Sequence, residues 1–169
     1  MLIKHIDQLL AAFDVLNEKS MAPAGLALLY VAIDSMAQIS SLKQGPMGER
    51  FRSFCQKYLD LYGLKVDADD LWSSRCGVLH SWSAQSDISA SGKAHEIFFY
   101  WGSARREVLD AVLVDREPRT KAVSLNALAN AVRDAATRLE RDIEANADLL
   151  AHWKKLAEST FVDVFVPRS

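Results

Sequence analysis

The chain has 169 residues, about half of them apolar, with 20 basic and 22 acidic side chains and a formal net charge of -2. That length suits one domain spanning residues 1–169, and the apolar content excludes a disordered chain. The near-neutral balance excludes a global field that would attract nucleic acid, so any RNA contact has to be local.

Leu2, Ile6, Leu9, Leu10, Phe13 and Leu16 recur at helical spacing and predict a first amphipathic helix. Pro23 suits the first turn of a second helix, which runs to Leu42 and stops at Gly45-Pro46. Asp34 is its only charge. A helix apolar nearly all round belongs at the centre of a bundle, which puts this carboxylate in a costly place. The apolar run from Ala22 ends at Asp34, short of the roughly twenty residues of a membrane span, so no membrane segment is expected.

A third helix is predicted over Gly48 to Tyr62, with Phe51, Phe54, Cys55, Tyr58 and Leu61 inward and Arg50, Arg52 and Lys57 outward. Gly63 ends it. Asp67 can cap a fourth helix, and Asp69 and Asp70 suit its positive N-terminal end. From Leu71 to Ser86 this fourth segment carries one full charge, Arg75, followed five residues later by His80, where the average composition would place about four charges. On a helical wheel, Arg75 lies in an apolar arc formed by Val78, Leu71, Trp82, Leu79, Trp72 and Cys76. His80 sits at its edge, and Ser73, Ser74, Gly77 and Ser81 form a small-residue face that admits close approach. A guanidinium in such surroundings requires a carboxylate, carbonyl or phosphate partner.

Further along, Ser83 to Lys93 reads as a polar connection and His95 to Trp101 as a strand, its Phe98, Phe99, Tyr100 and Trp101 suited to core packing more than to base stacking. Ser103 to Val114 suits a strand or short helix, and Asp115 to Thr120 a turn around Pro118. Arg105, Arg106, Arg116, Arg119 and Lys121 alternate with acidic residues, the pattern of a solvated surface. Ser124 to Ser159 predicts one long helix of roughly 54 Å, with an apolar seam from Leu125 through Ile143 to Leu150 and Trp153. A helix that long outspans a domain of this size, so its far end is expected on another subunit. Phe161 to Val166 alternates like a strand and can pair with His95 to Trp101. The fold expected is mainly α, a bundle of four to five helices with a small β element near residues 95–101 and 161–166.

Arg75-Cys-Gly-Val-Leu-His80 resembles the Arg-x4-6-His motif of HEPN domains, small helical bundles that often dimerise; the resemblance covers roughly Ala22 to Ser86. It implies a metal-independent endoribonuclease of the toxin or phage-defence kind, acting as a homodimer, with a possible antitoxin partner. Arg75 would bind the scissile phosphate, and His80 would be general acid/base while the RNA 2′-OH attacks. The position after the arginine, commonly polar in active members, is Cys76.

The residues themselves permit a second reading, in which Arg75 pairs with Asp34 across two helices and His80 bonds a carbonyl, giving a non-catalytic binding or dimerisation module. Cys76 and His80, at i and i+4, have metal-ligand spacing but lack a second ligand pair, with His95 the one nearby addition, so no metal ion or cofactor is expected. Two cysteines on predicted helices and no secretory signal lead to an expected cytoplasmic location.

Overall fold

In the computed structural model, residues 4–43, 45–102 and 119–158 are described, together with single positions 107, 109 and 114. The architecture is mainly helical. In chain order the elements are α1 (Lys4–Glu18), α2 (Ala22–Ser40), α3 (Met47–Tyr58), α4 (Leu61–Leu64), α5 (Ala68–Ser81), α6 (Asp87–Ala90), β1 (Glu96–Tyr100), β2 (Thr120–Ser124), α7 (Leu125–Ala145) and α8 (Ala147–Glu158).

The central element is α2, which buries Gly25, Leu26, Leu29, Tyr30, Ile33 and Met36 among others. Among the described residues it is also the one helix long and apolar enough to cross a membrane, because it continues past Asp34 to Ser40. Here that apolar surface is covered from within. α1 covers it with Ile6, Leu10 and Phe13, α3 with Phe51, Phe54 and Cys55, and α7 with Leu128, Val132 and Leu139. The predicted inward residues of α3 are thus in the core, but the helix stops at Tyr58 and the chain re-forms as one turn, α4, capped by Asp60.

Two findings correct the expected topology. First, β1 pairs in parallel with Thr120–Ser124, in the register Ile97↔Lys121 and Phe99↔Val123. Thr120 therefore opens a strand instead of closing a turn. Residues 161–166, the expected partner of β1, lie outside the described residues, as do most of 103–118. Second, the long C-terminal helix is two helices. Asn146 leaves helical geometry (φ -126°, ψ 111°), and its Oδ1 accepts the backbone N–H groups of Asp148 at 3.0 Å and Leu149 at 3.1 Å, capping α8. α8 then packs on α2 of its own chain, where His152 Nε2 donates to the Gln38 carbonyl at 3.2 Å and Leu149 is buried. The seam misled because Ile143 to Leu150 is a seven-residue step, which suits an unbroken helix.

The small-residue face of α5 behaves as its composition suggests. Ser73, Ser74 and Gly77 are among its buried residues, and after Trp82 the chain folds back against this face, with Ser73 and Ser86 hydroxyls 2.7 Å apart. A Cβ built on Gly77 would lie 2.4 Å from the Ser83 carbonyl oxygen and 3.0 Å from that of Gln85. Gly77→Ala is therefore expected to lose about 3 kcal/mol in denaturant unfolding, since backbone on both sides has to move. A loss under about 0.5 kcal/mol, the range of an ordinary surface change, would contradict this packing. Trp82, placed on the apolar arc by the wheel, is instead 66% exposed, because it ends the helix in the left-handed region (φ 51°) and turns away from the bundle.

Candidate functional site

Asp34 stands in the third quarter of α2 and Arg75 in the middle of α5, and the packing of these two helices brings them together. The α5 register is set at its N-terminus, where the Asp67 and Asp70 side chains each accept the other residue's backbone N–H. Arg75 then donates to a single carboxylate oxygen, Asp34 Oδ2, from Nε at 3.0 Å and Nη2 at 2.7 Å. The side chains are 11% and 15% exposed. Arg75 Nη2 also reaches Met47 Sδ at 3.5 Å, and the guanidinium carbon lies 5.3 Å from the centre of the Trp72 ring.

The third branch of the guanidinium meets His80. Nη1 and His80 Nε2 are 3.3 Å apart, although their positions on the helix point them well away from each other; the long arginine side chain spans the difference. A guanidinium only donates, so Nε2 accepts and the ring proton sits on Nδ1. Cys76 takes a further side-chain hydrogen bond from Arg75, so Asp34, Met47, His80 and Cys76 share the donors of the guanidinium. Asp34 Oδ1 is buried and has no hydrogen-bond partner. The arrangement is one largely buried anion holding a cation whose Nη1 corner meets an exposed imidazole.

Cys76 is half-buried beside Arg75. Burial raises its thiol pKa, with the neighbouring Arg75 charge pulling the other way, so the neutral thiol dominates. The acidic and imidazole groups that do converge among the described residues are Asp67, Asp70 and His95. Asp70 is completely buried, and its two oxygens accept from the His95 backbone N–H at 2.8 Å, His95 Nδ1 at 3.0 Å, the Asp67 N–H at 3.1 Å and Lys121 Nζ at 2.5 Å. Lys121 Nζ is also 3.7 Å from Asp67, so an ammonium group already stands where a metal cation would be attracted. Burial alone would raise the Asp70 pKa, but Lys121 and the N–H donors outweigh it and lower it. Sequence reasoning placed Lys121 on a solvated surface and Asp70 as a charge suited to the positive end of the helix; the one legible sign was an acidic residue three positions after an acidic N-cap.

Of the aromatic run at β1, Phe99 packs against the core, Phe98 and Tyr100 are half-buried, and Trp101 is exposed. Ile97 is buried and Phe99 meets Tyr30 edge to face, with centres 6.5 Å apart. No family model, curated protein or solved structure significantly matches the chain.

Proposed function

We propose that the chain is a HEPN-like, metal-independent endoribonuclease in which Arg75 and His80 act on one phosphodiester. The 3.3 Å approach of Arg75 Nη1 to His80 Nε2 carries this reading, because it sets a cation and a proton-transfer group side by side at an exposed edge of α5. In the reaction, the 2′-OH attacks phosphorus, the P–O5′ bond breaks, and a 2′,3′-cyclic phosphate and a 5′-OH end result. One imidazole removes the 2′-OH proton and another protonates O5′, so a second copy supplying its own His80 completes the acid–base pair; the functional unit is a homodimer. Asp34 serves as a positioning residue that orients the Arg75 guanidinium beside His80. A cytoplasmic toxin or phage-defence role, with an antitoxin as partner, belongs to the same proposal.

A second reading has its own support. Both Asp34-facing donors of Arg75 are occupied and the side chain is 11% exposed, as in an ion pair that fixes α2 to α5 within a non-catalytic module. RNA incubated with the purified protein and a chelator separates the two. Cleavage to cyclic phosphate ends, reduced about a hundredfold or more by His80→Ala, is the expected result. Intact RNA under all conditions would remove the nuclease and leave the module.

A further inference from the structure

Arg50, an outward residue of the third helix by its sequence spacing, is a partly desolvated guanidinium in the structure. It is half-buried on α3, its Nε is shut off from solvent with no hydrogen-bond partner, and no carboxylate among the described residues pairs with it. An anion bound within reach of the outer guanidinium nitrogens would supply the missing counter-charge.

The surroundings form a concavity of about 470 Å³ between the end of α2, the connection that follows it and α3. Its charged lining is Lys43, Arg50, Lys57 and Glu49. Lys57 is already neutralised, with Nζ 2.7 Å from Asp142, and the Tyr58 hydroxyl donates to the same carboxylate. Glu49 makes no ion pair with Lys43 or Arg50. Among the described residues Lys43 and Arg50 make no ion pair, and with Glu49 in the same lining the concavity keeps one net positive charge. Arg50 and Ser53 are one helical turn apart on the same face of α3, so a forked donor and a hydroxyl share one wall, and Lys43 approaches from the connection. The size is that of a small-ligand site.

We infer that this pocket binds a phosphate group through Arg50, Lys43 and Ser53. A tetrahedral oxyanion accepts donors from several directions at once and matches the guanidinium fork, as a single chloride ion does not. The group can belong to an RNA backbone or to a free nucleotide or phosphate. The inference does not depend on cleavage at Arg75 and His80.

Titration of the full chain with inorganic phosphate, a nucleoside triphosphate and a single-stranded RNA oligonucleotide tests this, with the RNA arm run in His80→Ala so that the strand stays intact. At least one probe is expected to bind, with affinity falling about tenfold or more in Arg50→Met and less in Arg50→Lys. Binding of RNA alone assigns a backbone phosphate; binding of phosphate or the triphosphate assigns a free ligand. Lys43→Met, at an exposed position, gives a second reading should Arg50→Met not fold, and is expected to weaken binding severalfold. No binding of any probe, or affinities unchanged in both Arg50→Lys and Lys43→Met, would overturn the site.

Discussion

Lys121→Met is expected to cost about 3–5 kcal/mol of folding stability, because it leaves the fully buried Asp70 carboxylate without its cation. The acid limb of the stability curve gives the sharper signature. The folded pKa of Asp70 lies below its ordinary value of 3.8, so its contribution is present above that value and is lost as pH falls through the lower, folded value. In Lys121→Met the burial penalty is opposed only by the remaining N–H donors, the carboxyl pKa rises from its lowered value, and the deficit of the variant is largest near neutrality. The two proteins should therefore converge in stability as the pH drops below about 4. Denaturant unfolding at several pH values checks this; a deficit that is the same at pH 7 and pH 3 would show that Asp70 does not draw its stability from Lys121.

That network also marks where the chain was legible and where it was not. The helices of the bundle could be read because α1, α3 and α7 carry apolar residues at a helical period that packing then uses, and Asp67 is the cap its residue type suggests. Arg75 could be read as a residue needing a partner, and Asp34 as one of the candidates, because each is a lone charge on an otherwise apolar helix. β2 could not. Thr-Lys-Ala-Val-Ser is short, adjoins Pro118, and acquires strand geometry only from pairing with β1 across a crossover. Lys121 has the same origin: a lysine among mixed charges is ordinary until a parallel strand directs it at a buried carboxylate. The break at Asn146 was visible in principle, since an asparagine followed by an acidic first turn is a capping signature, but an uninterrupted seven-residue seam masked it. Arg50 and Arg75 show the limit most clearly. Helical periodicity puts a guanidinium on an apolar or a polar side, but only tertiary packing decides which one receives a counter-ion.

Arg75→Met is expected to cost about 3 kcal/mol, because the Asp34 carboxylate would keep its burial and lose its remaining partner, with Oδ1 already unpaired. Asp34→Leu alone should destabilise as well, by stranding the guanidinium against Trp72 and Met47. The double variant, with two apolar side chains in place of the pair, should regain most of the loss and come within about 1 kcal/mol of the natural protein. Unfolding of the four proteins of this cycle in urea, at equal slope, gives the coupling directly. Losses that simply add would mean that Asp34 and Arg75 do not depend on each other, and Asp34 would forfeit its place as the positioning residue. The double variant then serves the functional question. It removes the cation while preserving the bundle, so RNA cleavage that disappears in it without loss of fold locates the phosphate-binding role in Arg75 itself, whereas a stable variant that still cuts RNA would move the catalytic cation elsewhere.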